Sequence, residues 1–203
     1  MKQDRTIIVS GTPGTGKTRF GRLLARKLGI EYVNLTLFAK QHHLIRHFDR
    51  KRRTGVIDES GLRREISKYL RERGGSAVIE GHFSGGLVPA RFVETAFVLR
   101  CDPEVLSTRL VRRGYSKSKV RENVRAEILD VCLSDTVSSQ GRSKVAEIDT
   151  TSWTIENCVK EAALILSGRK PRQVGIFDWL AVLEQRGKLD KLLKEQGFTW
   201  RRK

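Results

Sequence analysis

Short apolar runs alternate along the chain with longer stretches in which apolar residues recur every three to four positions. Each run is four or five residues long and is bounded by polar or glycine-containing segments, as is typical of strands buried in a parallel sheet. Strands that alternate with helices favour a doubly wound α/β fold, with a five-stranded parallel sheet and helices on both faces. The predicted strands are Thr6 to Ser10, Glu31 to Leu35, Ser76 to Glu80, Ala96 to Arg100 and Ala146 to Asp149.

Helical periodicity follows most of these strands. In the first helix, Phe20, Leu23, Leu24 and Leu28 keep one apolar face, and Gly29 provides a stop. We expect a polar turn over Ser134 to Ser143 before the last strand. Further helices are predicted over Glu59 to Arg73, from Asp102 onward, over about Lys117 to Asp135, and over Ile155 to Leu166.

Residues 168–203 differ in composition from the chain before them and are predicted to form a helical extension of the main domain, residues 1–167. From Gly168 onward there are ten Lys and Arg against four Asp and Glu. Gly187 separates two amphipathic sets, which indicate short helices that pack on the core or meet a partner. These sets are Ile176, Phe177, Leu180 and Leu183, and then Leu189, Leu192 and Leu193.

The balance of charge changes the picture of possible partners. Lys and Arg number 40 against 23 Asp and Glu in a chain of 203 residues, which gives a formal net charge of +17. Such an excess favours polyanionic surroundings such as RNA or a ribonucleoprotein, although a basic proteome or a high-salt or hot habitat would also produce it. No apolar stretch approaches the roughly 20 residues needed to cross a bilayer. We therefore expect a cytoplasmic protein with no membrane partner, a monomer or weak oligomer.

The three cysteines, Cys101, Cys132 and Cys158, are far apart and form no C-x-x-C pair. This spacing predicts neither a disulfide framework nor a zinc site. We expect these residues to be reduced and mostly in the core.

A glycine-rich segment between the first strand and the first helix carries the clearest chemistry. It fits G-x-x-x-x-G-K-[ST] at every fixed position, the phosphate-binding loop of P-loop NTPases. Backbone N–H groups of such a loop converge on phosphate oxygens, a lysine bridges the β and γ phosphates, and a hydroxyl joins the Mg²⁺ shell. The alternative is an ordinary strand-to-helix turn. The predicted ATP and Mg²⁺ ligands here are Gly11, Thr12, Pro13, Gly14, Thr15, Gly16, Lys17 and Thr18.

Four further segments extend the pattern: Glu31-Tyr-Val-Asn34, Phe97-Val-Leu-Arg-Cys-Asp102, Arg109-Leu-Val-Arg-Arg-Gly-Tyr115 and Glu122-Asn-Val-Arg-Ala-Glu-Ile128. With the loop, they resemble the sixth adenylate kinase isoenzyme family, also called the coilin-interacting nuclear ATPase family, and most of all its archaeal members. The resemblance covers about residues 5 to 167. It implies an adenylate kinase core, broad-specificity phosphoryl transfer from ATP to AMP or other nucleoside monophosphates, and ATPase activity. It also implies a role in small ribosomal subunit maturation, with a ribosomal protein of the S11/S14 type and small-subunit rRNA as partners.

The family's Asp-x-His after the third strand falls on Glu80-Gly81-His82, with Glu in place of Asp. By this resemblance Glu80 joins Thr18 in holding Mg²⁺, and His82 orients a water or the transferring phosphate. A solitary histidine in a loop is otherwise commonly a polar surface residue.

Arg109 and Arg113 lie four residues apart, so a helix would present both to the cleft, where guanidinium groups stabilise a migrating phosphoryl group. The alternative is a solvated basic helix end. With Lys17 and His82 they complete the predicted catalytic set, and Arg109 also counts among the ATP ligands. The resemblance further implies a short lid over about residues 114–127. It also implies an adenine-side loop at Asp149, Thr150 and Thr151, with Trp153 nearby.

The acceptor side departs most from the family, whose acceptor-phosphate arginine is matched here by Lys40. Lysine lacks the bidentate fork of arginine, so acceptor binding is expected to be weaker or less selective. Asp58 and Glu59 match an acidic pair of the monophosphate-binding segment, about residues 34–73, although a helix N-cap with an acidic first turn explains them equally. His42, His43 and His47 lack convincing metal spacing and are interpreted as surface residues, close to RNA.

Three functions compete at this point. The first is an adenylate kinase with slower ATP hydrolysis, and the second is a ribosome assembly factor switched by its nucleotide, with little kinase activity. The third, ranked lowest, is a small-metabolite kinase of the shikimate type, which Gly85-Gly86 faintly suggests. That class needs an acidic pair after the second strand, and Asn34-Leu35-Thr36 does not supply one.

Overall fold

The computed structural model describes residues 5–49, 54–82 and 84–190. Its centre is a five-stranded, all-parallel sheet in the order β2-β5-β1-β6-β7. This confirms the predicted sheet. A separate antiparallel pair, β3 and β4, lies outside it. The strands are β1 Thr6–Gly11, β2 Glu31–Asn34, β3 Ile45–Asp49, β4 Thr54–Ile57, β5 Ala77–Glu80, β6 Val93–Arg100 and β7 Val145–Asp149.

Helices cover both faces of the sheet, and the side-chain alternation along β1 shows how. Ile7 and Val9 pack in a buried cluster with Leu24, whereas Ile8 packs in a second cluster with Ile66. Successive side chains of a strand point to opposite faces, so each face of the sheet has its own core. The helices are α1 Lys17–Leu28, α2 Leu35–Gln41, α3 Glu59–Glu72, α4 Ser84–Leu87, α5 Pro103–Arg112, α6 Lys117–Ile128, α7 Val131–Gln140, α8 Ile155–Leu166 and α9 Trp179–Gln185.

The carboxyl ends of the central strands meet at one edge of the sheet. Gly11, Glu80, Arg100 and Asp149 are the last residues of β1, β5, β6 and β7. Ligands of open α/β sheets bind outside these ends. The fold therefore brings the phosphate loop, the predicted Mg²⁺ carboxylate and the adenine-side loop to one edge.

The predicted single helix over Lys117 to Asp135 is divided in two. Asp130 lies between α6 and α7 with a left-handed φ of 53°, which interrupts a helix. Residues Val120, Val124 and Ile128 of α6 are buried. The second half of the predicted lid is thus part of the core, and an exposed stretch from Gly114 to Lys117 precedes it.

The polar turn predicted over Ser134 to Ser143 is wrong for most of its length, because α7 continues to Gln140. Two buried polar side chains of α7, those of Thr136 and Gln140, bond inside the protein. The Thr136 hydroxyl donates to the Cys132 carbonyl at 2.7 Å, and the Gln140 amide donates to the carbonyls of Gly85 and Val88 at 2.6 and 2.7 Å. The polar composition of this segment predicts a turn, but two of its polar side chains are buried and hydrogen bonded within the helix layer.

The β3–β4 hairpin was not predicted. Its strands pair from Ile45↔Ile57 to Asp49↔Thr54, in a region whose sequence is rich in His and Arg rather than alternating. The hairpin forms a sheet of its own, and Ile57 at the end of β4 packs against the core. The side chain of His47 lies outside the described part of the chain.

The extension packs on α5 and α6 through a face that differs from the predicted stripe. Trp179 and Leu183 are the buried residues of α9, whereas Ile176 and Leu180 are 47% and 40% exposed. Ion pairs join the extension to the start of α5: Arg186 pairs with Asp102, and Lys188 pairs with Glu104. Leu192 and Leu193, assigned to a second helical set, lie outside the described residues.

Two general expectations can be compared with the described ranges. Cys101, Cys132 and Cys158 are all buried and unbridged, so they do belong to the core. Within the described part of the chain, no helix is long and apolar enough to cross a bilayer.

Candidate active site

The loop between β1 and α1 has a backbone that only glycine accommodates at two points. Gly11 has φ +133°, and a Cβ there would lie 2.5 Å from the Leu99 carbonyl oxygen. Gly14 has φ +100°, and its Cβ would lie 2.7 Å from Leu106 Cδ1. The tight turn of the loop therefore requires glycine at these positions, and it leads directly into the N-terminus of α1, where anions are favoured.

Lys17, the first residue of α1, is 8% exposed. Its Nζ donates to the Thr12 carbonyl at 3.1 Å, and the same oxygen accepts the Thr15 hydroxyl at 2.9 Å. Burial lowers the pKa of Lys17, and the carboxylates of Glu80 and Glu127 act in the opposite direction. The Thr12 carbonyl thus holds the lysine within the loop, in the region where phosphates would bind.

Thr18 and Glu80, the predicted Mg²⁺ pair, come together although 62 residues separate them. The Thr18 hydroxyl lies 3.5 Å from Glu80 Oε2, which also accepts the Tyr32 hydroxyl at 2.9 Å and the Asn34 amide. A hydroxyl beside a buried carboxylate suits Mg²⁺, which prefers oxygen ligands and keeps several waters. The residues present therefore fit this ion, and β2 supplies two side chains that orient Glu80.

His82 lies against the start of the same loop. Its Nδ1 is 3.2 Å from the Gly11 carbonyl and 3.5 Å from Cys132 Sγ. A carbonyl only accepts, so the first contact assigns the proton to Nδ1 and the lone pair to Nε2. Burial, with Lys17 as a second cause, lowers the pKa of His82 to about 4. The imidazole is neutral at pH 7.

Arg109 and Arg113 both line a cleft of about 420 Å³ with Gly14 and Gly16, as the helical spacing predicted. Arg113 also lines an adjoining space of about 220 Å³ with Lys17. Arg109 instead donates to the carbonyls of residues 150 and 151, at 2.6 and 2.9 Å. The structure thus separates the pair: Arg113 lies beside the lysine, and Arg109 lies at the other end of the cleft.

That other end is formed by the loop after β7. The Asp149 carboxylate accepts the Thr151 N–H at 2.8 Å, and the Thr150 hydroxyl donates to the Arg100 carbonyl at 2.8 Å. Thr150 and Trp153 line the cleft, and Trp153 is 45% exposed. Asp149 shapes the turn, while the exposed ring of Trp153 offers a surface that a nucleobase could contact.

Known proteins are similar to this chain in sequence, and others in fold. A family model described as "AAA domain" matches residues 7–130. A protein of Pyrococcus abyssi named "Putative adenylate kinase" is 43% identical over 180 residues, 88% of this chain and 93% of that protein. A protein of the same name from Methanocaldococcus jannaschii is 38% identical over 173 residues, 85% of this chain and 92% of that protein. The chain belongs to this archaeal adenylate kinase family.

Solved structures resemble the chain in fold alone. A gluconokinase from Sinorhizobium meliloti superposes with a TM-score of 0.54 at 17% identity, covering 83% of this chain and 95% of that one. A shikimate kinase from Bacteroides thetaiotaomicron gives 0.50 at 18% identity, with 80% and 98% covered. The chain therefore has a P-loop kinase fold, and at these identities the two structures do not decide its acceptor.

On the acceptor side of this adenylate kinase family member, the predicted residues are dispersed along α2 and α3. Lys40 is exposed in the last turn of α2. Asp58 caps α3 by accepting the Gly61 N–H at 3.1 Å, a bond that lowers the pKa of its carboxyl, and it pairs with Arg46 at 3.0 Å. Glu59 is exposed in the first turn. Asp58 and Glu59 thus have the helix-start roles that were their alternative interpretation, and acceptor binding by them stays a prediction.

Glu127 of α6 was missed as a site residue. Its carboxylate accepts the Thr12 hydroxyl of the phosphate loop at 2.6 Å, and it is 2% exposed. Glu127 belongs to one of the motifs on which the resemblance rests, but an acidic residue on an amphipathic helix is ordinarily expected to be exposed to solvent. A signal existed in its position beside the apolar residues Val124 and Ile128.

Because folding lowers the pKa of His82, this residue should make stability depend on pH. Between its folded pKa of about 4 and the ordinary value of 6.5, the unfolded chain binds more protons than the folded one. The contribution of His82 is therefore full above pH 6.5 and is lost as pH falls toward 4. Denaturant unfolding from pH 7.5 to 4 should show a larger loss of unfolding free energy in the native protein than in His82→Asn.

Asparagine keeps an N–H donor near the Gly11 carbonyl and has no titration in this range. The two proteins should show parallel curves above pH 7. Parallel curves down to pH 4 would contradict the buried, neutral imidazole.

Proposed function

We propose that the protein is a broad-specificity nucleoside monophosphate kinase that transfers the γ-phosphoryl group of ATP to AMP, with slower ATP hydrolysis. The observation that carries the proposal is the meeting of four groups at one edge of the sheet. A glycine-constrained phosphate loop, a buried lysine, a hydroxyl–carboxylate pair and two cleft arginines lie together there. The relatives named as adenylate kinases support the same class of reaction.

Phosphoryl transfer needs positioning and charge stabilisation more than covalent help from the protein. The N–H groups of the loop and of the first turn of α1 would bind the phosphates of ATP. Lys17 would leave the Thr12 carbonyl for phosphate oxygens, and Arg113 would stabilise charge on the migrating group. Mg²⁺ held through Thr18 and Glu80 would neutralise charge on the phosphates.

Arg109 would serve the other end of the nucleotide. Its bonds to the carbonyls of residues 150 and 151 fix the loop that the base would contact. Trp153, which is exposed, lines the cleft there. An aromatic side chain stacks on any base, so this end would favour nucleotides without strict selection.

The acceptor would enter from the α2–α3 side, where Lys40 offers a point charge to its phosphate. When no acceptor is bound, a water could take its place. The neutral His82 would then orient that water through Nε2, which accounts for the ATPase activity in the proposal.

A role in small ribosomal subunit maturation forms the second part of the proposal, with rRNA and a ribosomal protein of the S11/S14 type as partners. The net charge of +17 supports it, because each neutralised phosphate releases counterions. Within the described residues, Arg19 on α1 lines the cleft, and Arg22 lines a neighbouring space together with Arg19. The alternative function is a ribosome assembly factor that is switched by its nucleotide and has little kinase activity.

The kinase reaction is tested by ADP formation from ATP with and without AMP. AMP should increase ADP output, and Lys17→Ala should lower the rate at least about a hundredfold, the scale for loss of one group that stabilises a transition state. Lys27→Ala, at the other end of the same helix, is the matched control and should retain the native rate. Circular dichroism checks that both variants are folded. ADP formation indifferent to AMP at every protein concentration would reject the kinase.

Lys40→Ala should raise KM for AMP by about tenfold, the value of one charge-assisted contact, with little change in KM for ATP. Lys40→Arg should preserve or lower KM for AMP, because its fork binds phosphate bidentately. Lys68→Ala, an exposed lysine on α3, is the control. An unchanged KM for AMP in Lys40→Ala would remove this residue from the acceptor site.

The ribosomal role is tested by measuring ATP hydrolysis with added small-subunit rRNA or S11-type protein. Either partner should raise or lower the hydrolysis rate, and binding to RNA should weaken steeply with salt. Heparin, a polyanion without RNA structure, is the control for charge alone. Hydrolysis and binding indifferent to both partners would contradict the role and leave the kinase proposal standing.

A further inference from the structure

A buried cation joins the sheet, α6 and the C-terminal extension. Arg100, at the end of β6, is 1% exposed. Its guanidinium donates to Glu127 at 2.9 Å and also pairs with Asp130 and Glu147. Burial opposes the charge of Arg100, but these three carboxylates raise its pKa overall. The guanidinium thus stays charged and holds the carboxylates around it.

Glu127 connects this cluster to the phosphate loop, because its two oxygens have different partners. Oε1 accepts the Arg100 Nε–H, the Cys101 N–H at 3.1 Å and the Trp179 indole N–H at 3.2 Å. Oε2 accepts the Thr12 hydroxyl at 2.6 Å. One carboxylate therefore links a residue of the extension to a residue of the loop.

Thr12 in turn determines where the rest of the loop lies. It is fully buried, and its carbonyl accepts Lys17 Nζ at 3.1 Å and the Thr15 hydroxyl at 2.9 Å. A shift of Thr12 would move the acceptor oxygen of both groups. Lys17 is thus linked to Glu127 through two hydrogen bonds, both of which involve Thr12.

The extension is fixed independently of the loop. Glu147 Oε2 accepts the N–H groups of Gly175 and Ile176, the latter at 3.0 Å, and Leu183 is fully buried against α5 and α6. Trp179 is 5% exposed. Its buried indole N–H donates to Glu127 Oε1. Removing this donor would leave a buried carboxylate oxygen with fewer hydrogen-bond partners, which costs free energy.

We propose that Glu127 and Trp179 are positioning residues of the nucleotide site: the extension fixes the Glu127 carboxylate through the indole N–H of Trp179, and Glu127 fixes Thr12 and the phosphate loop. Docking of the extension and binding of ATP are then thermodynamically coupled, so each favours the other. The inference rests on the proposed function only in requiring that the loop binds ATP.

The test is calorimetric titration of the full-length protein with Mg·ATP. Trp179→Phe keeps an aromatic side chain and removes the N–H. It should raise Kd for ATP by about three- to tenfold, because only part of the free energy of this hydrogen bond to a charged group would reach the phosphate loop. Leu180→Ala, the exposed neighbour on the same helix, should stay within about twofold of the native value.

The route through the loop is tested at Thr12. Thr12→Val removes the hydroxyl at nearly constant shape and should weaken ATP binding, whereas Thr12→Ser should restore it. In the Thr12→Val background, Trp179→Phe should add less than about twofold, because the bond through which it acts is already lost. A full additional loss would show that Trp179 acts elsewhere and would overturn the proposal.

Thermal unfolding of each variant separates positioning from plain stability. A lower Tm in Trp179→Phe with an unchanged Kd for ATP would mean a structural role only and would also overturn the proposal. The readout needs no acceptor, so coupling of Trp179 to ATP binding without transfer to AMP would sustain this inference while the kinase fails. A native protein that binds no ATP would reject both.

Discussion

Parallel strands that end at one edge of the sheet concentrate charge there, and the burial of that charge is the constraint on which the site depends. Arg100 and Lys17 are both buried at this edge, with Glu80, Glu127 and Glu147. Taking an ion out of water costs several kcal/mol unless it is paired and hydrogen bonded. Each of these groups is therefore bonded to a neighbour, and the bonds fix their positions.

Two separate groups of bonds result, one on each side of β1. On one side, Glu80 accepts from Thr18, Tyr32 and Asn34, which prepares an oxygen-rich place for a divalent cation. On the other side, Glu127 ties the loop to the extension. The carboxylates of Glu80 and Glu127 both favour the charged form of the loop lysine, so its electrostatic environment depends on groups supplied by distant segments of the chain.

Much of this could be predicted from the sequence, for physical reasons. Buried parallel strands carry continuous apolar runs, and a phosphate loop needs glycine at fixed positions, so both left strong patterns. The Thr18–Glu80 pair followed from the strand ends and the resemblance. Other features depend on contacts between distant parts of the sequence: Glu127 and Trp179 meet across 52 residues. In α7, Gln140 bonds to carbonyls of another segment, whereas composition alone indicated a turn. The β3–β4 hairpin lies outside the main sheet, and its sequence is rich in His and Arg rather than alternating.

A nucleotide kinase transfers the γ-phosphoryl group of ATP to a nucleoside monophosphate, whereas an ATPase transfers it to water. A single-turnover experiment with γ-labelled ATP, excess protein and saturating AMP follows the label directly. For a nucleotide kinase, most label should appear in the β position of ADP made from AMP, and without AMP it should appear slowly as inorganic phosphate. Label found entirely in inorganic phosphate, at the same rate with and without AMP, would contradict the kinase function.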